Sequence, residues 1–170
     1  MIANLKQKSI QKEYDKLLQK QPVTNNKQGK VKKVAVVLDN EALVNVITSN
    51  MLNIFPFQKQ DITFLVYREF SKKQETTPLF FTEKEIEYKA SLKSDNLKNF
   101  VKNDYDLLIN YTKTSNLYTN VITLQSQAKL KAGFVGIDDR LFDIVVADPT
   151  FNEAILNQEL KKYLTILNKI

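Results

Sequence analysis

Apolar positions along the 170-residue chain switch repeatedly between helical and strand periods, and the switches divide it into alternating elements. Ile2, Leu5, Ile10, Tyr14, Leu17 and Leu18 recur at near-helical spacing while lysines fill much of the opposite side, which predicts an amphipathic helix over about residues 2–20. Residues 21–30 carry Pro22, two asparagines and Gly29 with hardly any apolar content, and read as a linker. A β-branched run over 31–38 then predicts a buried strand. It runs into Asp39-Asn40-Glu41 and a helix carrying Leu43, Val44, Ile47, Met51, Leu52 and Phe55, with Asp39 or Asn40 near its N-cap and Pro56 at its end.

Residues 61–67 predict a second strand and 77–82 a short third one. A short helix is expected over 94–103, its apolar side being Leu97, Phe100 and Val101. A strand over 105–111 precedes a helix over 115–128, and strands over 131–136 and 142–147 are divided by the turn-rich residues 137–140. Residues 151–167 form a strongly periodic closing helix. Strands alternating with helices predict an α/β fold, a three-layer Rossmann-like and mostly parallel sheet covered on both faces. The expected organisation is a basic amphipathic helix and linker over 1–30, then a single α/β domain over 31–170.

Composition narrows the chemistry. At 43% apolar and 26% charged residues the chain can bury a sizeable core. It has no cysteine and no histidine, which excludes thiolate nucleophiles, imidazole bases and the zinc or iron–sulfur sites those ligands build. Catalysis would rest on Asp, Glu, Lys, Tyr, Ser or Thr, with a hard cation such as magnesium on oxygen ligands. The first residues lack the apolar run of a signal peptide, and no stretch approaches the roughly 18 apolar residues of a spanning helix. The expected compartment is the cytoplasm.

The net charge of +6 is unevenly placed. Lys6, Lys8, Lys12, Lys16, Lys20, Lys27, Lys30, Lys32 and Lys33 face only Glu13 and Asp15 in the first 33 residues, while the rest of the chain is nearly neutral. Such an asymmetry suggests an arm that meets an anionic surface, RNA, DNA or phospholipid. A solvated, solubilising helix explains the same lysines, because the chain has only two arginines, Arg68 and Arg140, and the arm has none of the bidentate forks that specific phosphate contacts favour. A membrane role would also call for Trp or Phe on the apolar stripe, which has neither.

In open α/β sheets ligands sit beyond the carboxyl ends of the strands. That rule selects Asp39, Asn40 and Glu41 after the first strand, Asn110, Thr112 and Lys113 after the strand near 107–109, and Asp138, Asp139 and Asp148 after the last two. Asp39 with a later aspartate would suit magnesium, and Lys113 a phosphate. The competing explanation is capping, for Asp39 and for Asp148-Pro149 at the start of the last helix. Gly29, Gly133 and Gly136 are the chain's three glycines, and none lies between a strand and a helix, where dinucleotide and Walker-type phosphate cradles need one. Gly133-x-x-Gly136 marks a strand bend, since Phe134 and Val135 stand where a KH-type clamp would carry basic residues. Phe80, Phe81, Tyr67 and Phe70 are the aromatics expected to be partly exposed.

The segment at 105–118, with Gln127-Ala-Lys-Leu-Lys-Ala-Gly-Phe134 and Asp139-Arg-Leu-Phe-Asp143, resembles an uncharacterised family of small Bacteroidetes proteins, chiefly flavobacterial. The resemblance runs over nearly the full length and implies a cytoplasmic bacterial protein. Residues 105–134 are also similar to the N-terminal half of heptosyltransferase-like glycosyltransferases, which implies a Rossmann-like sheet. That family's glycine-rich first turn is replaced here by Asp39-Asn40-Glu41, and its second domain has no room.

The leading expectation is a non-catalytic binding or scaffolding protein whose basic N-terminal arm docks on an anionic macromolecule, RNA or a membrane surface, or on a partner subunit. The alternative is a small ligand-binding domain or magnesium-dependent enzyme with its site at the carboxyl ends of the strands. No catalytic residue, cofactor or resident metal is assigned.

Overall fold

The computed structural model describes residues 1–21 and 28–170. Lys27 and most of the expected linker lie outside the described residues. Six strands, β1 (Val34–Leu38), β2 (Ile62–Tyr67), β3 (Phe80–Phe81), β4 (Leu107–Asn110), β5 (Leu130–Phe134) and β6 (Ile144–Val146), form one sheet in the order β3-β2-β1-β4-β5-β6. Every pairing is parallel, so the sheet is fully rather than mostly parallel. Among the described residues five α-helices accompany it: α1 (Ile2–Gln19), α2 (Val44–Ile54), α3 (Asp95–Lys102), α4 (Leu117–Gln125) and α5 (Glu153–Ile166).

The alternation of each strand creates the layers. Val34, Val36 and Leu38 of β1 face Ile47 and Met51 of α2 and Leu156, Leu160 and Leu164 of α5. Ala35 and Val37 face the other way, onto the cluster that holds Ile10 and Tyr14 of α1, Leu97 and Phe100 of α3, and Val121 and Ile122 of α4. All five residues of β1 are buried, as a central parallel strand covered on both faces requires. At the amino end of the sheet Asp106 accepts the backbone N–H groups of Lys32 and Lys33, each at 3.0 Å, and pairs with Lys129 at 2.7 Å, tying the entries of β1, β4 and β5.

The first helix is part of this body. Ile10 has no exposed surface and Tyr14 only 3%. Lys6 Nζ donates to the Glu83 carbonyl at 3.3 Å, the Lys89 N–H donates to Ser9 Oγ at 3.0 Å, and the Tyr14 hydroxyl donates to Asp138 Oδ2 at 2.7 Å. Glu83 follows β3 and Asp138 follows β5, so α1 crosses the sheet near the ends where the strands stop. Burial and the Asp138 carboxylate hold the Tyr14 phenol well above its ordinary range, and the two-pronged Arg140 guanidinium holds Asp138 below the carboxylate range.

Three sequence expectations shift. The third strand shrinks to two residues at the sheet edge. The last helix starts at Glu153 under an Asn152 cap, not at Asp148-Pro149, whose carboxylate instead accepts the Asn152 N–H at 2.8 Å and the Thr150 hydroxyl at 2.7 Å. Gly133 lies inside β5 rather than at a bend: a Cβ there would meet the Phe142 ring at 2.4 Å, so the glycine makes room for that ring. Gly133→Ala is expected to cost about 1–3 kcal/mol as the ring is pushed aside, read from the midpoint of urea unfolding.

Candidate functional site

The chain reverses its winding between β1 and β4. The connection leaving β1 returns over one face through α2, and that leaving β4 returns over the other through α4. Loops diverging to opposite faces leave a crevice beyond the carboxyl ends of the strands, the usual ligand position in such sheets. A cleft of ≈530 Å³ opens beside that point, beyond the ends of β1 and β2, and among the described residues only Asn116 reaches it from the β4 side. Asp39, Asn40 and Glu41 line it from the end of β1, Tyr67, Arg68, Glu69 and Gln74 from the end of β2, and Phe80 and Asn116 complete the wall. A neighbouring recess of ≈520 Å³ shares Arg68, Gln74 and Phe80 and extends toward Phe70, Lys84 and Lys93.

Local chemistry decides which of these side chains are available. Asn40 caps the single 3-10 turn Glu41–Leu43 that leads into α2, its Oδ1 accepting the Ala42 N–H at 3.1 Å. Asp39 is thereby released from the capping role that its position suggests. Its carboxyl keeps contact with solvent, yet the recess withholds enough water to push its pKa up, while its own backbone N–H and the Lys113 ammonium pull it back. The Arg68 guanidinium lies over the Phe80 ring, 3.8 Å from its centre, and donates through Nη2 to the Glu75 carbonyl. Its Nε is buried without a hydrogen-bond partner. Among the described residues Asp39, Glu41, Arg68 and Glu69 form no contact ion pair, so the cleft presents three carboxylates against one guanidinium, with Lys113 acting on Asp39 only from a distance. Tyr67 stacks on Tyr118 and its hydroxyl donates to Glu83 Oε2 at 3.4 Å, while burial, with the charge of Glu83, holds the phenol well above its ordinary range.

The other sequence candidates are placed differently. Asn110 and Thr112 are fully buried. Asn110 Oδ1 accepts the Thr112 N–H at 2.9 Å and its hydroxyl at 2.6 Å, while Asn110 Nδ2 donates to Thr123 Oγ1 at 3.1 Å, a closed set that shapes the exit of β4 and does not line the cleft. Lys113 pairs with Glu153, the first residue of α5, at 2.6 Å. Asp138 is occupied by Tyr14 and by Arg140 Nε and Nη2, each of the latter at 2.9 Å, and Asp139 accepts the Gly136 N–H at 3.1 Å. The aspartates expected to share magnesium with Asp39 thus spend their oxygens elsewhere, and among the described residues no three ligating side chains are grouped to hold a metal ion.

Of the lysines singled out by charge, Lys8, Lys12 and Lys16 are exposed on α1 and Lys20 at its C-cap. Lys6 is engaged with the Glu83 carbonyl, Lys30 with Asn168 Oδ1 at 2.8 Å, and Lys33 with Asp104 at 2.8 Å; Lys32 is exposed. No helix among the described residues is long and apolar enough to cross a membrane. Arg68 and Glu69 are missing from the sequence candidates although the strand-end rule applies to β2 as it does to β1. Asn116 is likewise missing from those candidates; it caps α4, its Oδ1 accepting the N–H groups of Tyr118 and Thr119 at 2.9 and 3.2 Å.

With the fold and cleft in place, comparison with known proteins adds one assignment. The family of unknown function DUF6913 matches residues 6–167. The chain belongs to that family. No curated protein and no solved structure matches it, so the similarity of residues 105–134 to heptosyltransferase-like glycosyltransferases has no counterpart in these comparisons. The match begins within α1, so the DUF6913 unit includes most of the helix that packs on α4 and the 88–90 turn as well as the strands that carry the cleft.

Proposed function

We propose that this DUF6913 chain is a ligand-binding domain that takes a small polar molecule of net positive charge in the cleft beyond β1 and β2. The observation that carries the reading is the cleft's charge: Asp39, Glu41 and Glu69 gather there with Arg68, all without ion-pair partners among the described residues. Carboxylates at the first strand-to-helix turn repel the phosphates that a glycine turn would cradle, which disfavours nucleotides and favours ammonium or guanidinium groups. Arg68 and the amides of Asn40, Gln74 and Asn116 would orient the rest of such a ligand.

Thermal unfolding with spermidine, putrescine, arginine, lysine and ADP tests this. A cationic probe at about a hundred times its Kd adds about 2.7 kcal/mol of stability, which for a chain of this size raises Tm by roughly 5–10 °C. ADP is expected to leave Tm unchanged. Because Asn40 and not Asp39 caps the turn, Asp39→Asn should abolish the ligand-induced rise while leaving the melting temperature of the free protein within about a degree. A shift given by ADP alone, or a cation shift that survives Asp39→Asn, would reject the cleft as a cation site.

A further inference from the structure

The exposed side of α1 carries a row of lysines well apart from the cleft. Lys8, Lys12, Lys16 and Lys20 recur every fourth residue, which in a helix places them in a slowly drifting row about 6 Å apart along the axis. Among the described residues none of the four is ion-paired. The two acids of the helix leave them free: Asp15 takes the Gln11 amide at 3.1 Å, and Glu13 is partly buried. The opposite side of the helix is fixed to the body by Ile10, Tyr14 and the Tyr14–Asp138 hydrogen bond, so the row is held in one orientation and not on a flexible tether.

Two aliphatic side chains extend the same outward side. Ile2 is 76% exposed and Leu5 59%, and at 100° per residue Leu5 falls between Lys12 and Lys16 on the helix circumference. We infer that this face of α1 docks on an anionic phospholipid surface, its lysines meeting the headgroups and Ile2 and Leu5 entering the interface. Charge complementarity supplies most of the attraction; with no Trp or Phe to anchor the helix, Ile2 and Leu5 add a shallow apolar contact that a lipid surface rewards and a nucleic acid does not. A nucleic-acid surface would reward arginine forks and stacking rings, and α1 has no arginine, while its single aromatic, Tyr14, is buried. Docking of this kind is weak and reversible, because it combines a short charge row with a small apolar contact.

The test is co-sedimentation of the full chain with vesicles of phosphatidylcholine, alone or with about a third of phosphatidylglycerol, across a salt series. Binding is expected only to the anionic vesicles, falling steeply as salt rises. Each lysine-to-glutamine change at 8, 12, 16 or 20 should weaken it about fivefold, and the fourfold variant should lose detectable sedimentation. These residues are exposed, so thermal melting of the variants should match the parent and separates lost docking from lost folding. Leu5→Ser should weaken vesicle binding but leave retention on polyuridylate unchanged. Absence of binding to anionic vesicles, or binding that survives the fourfold change, would overturn the inference. So would tighter binding to polyuridylate than to vesicles together with indifference to Leu5→Ser, which would mark the face as a nucleic-acid surface. None of these outcomes depends on whether the cleft binds a cation.

Discussion

Ile10→Ala should lower the stability of the protein by about 3 kcal/mol, within the range for removing a large aliphatic side chain from a closed core. In a chain of this length that is a fall of roughly 10 °C in Tm. The expectation follows from the place of Ile10, which has no exposed surface and sits with Leu97, Leu108 and Val121 in the cluster on one face of the sheet. Leu5→Ala on the same helix is the control, because Leu5 is largely exposed and should change stability by no more than about 0.5 kcal/mol. If α1 were an appendage the two substitutions would be equally silent in the melting of the domain. A clear difference between them makes the helix part of the cooperative unit, and equal silence would refute its packing.

The second large effect lies on the other face. The Tyr111 hydroxyl, fully buried at the end of β4, donates to Asn157 Oδ1 of α5, and Asn157 Nδ2 donates to Asn50 Oδ1 of α2 at 2.8 Å. This chain of bonds joins the sheet to both helices of its layer. Asn157→Leu is close to isosteric but strands the Tyr111 hydroxyl in the core, and is expected to cost about 2–3 kcal/mol. Tyr111→Phe, which removes the donor and leaves the Asn157 oxygen unpaired, should cost about 1–2 kcal/mol. Combining them removes both halves of the bond, so the double variant should be more stable than the sum of the singles predicts, by about 1 kcal/mol in a denaturant-based cycle. Strict additivity would mean that the hydrogen bond contributes nothing.

Element identity is legible in this sequence because the two hydrophobic periods are clean. β1 reads as a buried strand from its β-branched run, and α3 from Leu97, Phe100 and Val101, all three of which are buried with Ser94 capping the helix at the Leu97 N–H. Edges and partners are less legible. Residues 77–82 have strand composition, but only Phe80 and Phe81 find a neighbouring ladder, because the sheet ends there. At the site, adjacent capping residues compete, and sequence alone does not say that Asn40 takes the N–H and releases Asp39. Asn110 and Thr112 are chemically as suited to a ligand as Asp39, and only the fold reveals that they satisfy each other in the core. Arg68 escapes notice because the ring beneath it, Phe80, is twelve residues away and arrives through the β2–β3 pairing. Of the aromatics expected at the surface, Phe70 is exposed in the loop after β2, while in β3 Phe80 is partly covered and Phe81 wholly buried, since successive strand residues point to opposite faces.

The bond between Tyr14 and Asp138 joins positions 124 residues apart. A ribosome adding about 5–20 residues per second completes the seat of α1 some 6–25 s after the helix has been made. During that interval the core that Ile10 and Tyr14 enter is incomplete, and the nascent segment is a lysine-bearing amphipathic strip with only part of its apolar cover. Biogenesis therefore concentrates the need for shielding on α1, whose cover is completed only when Asp138 has emerged.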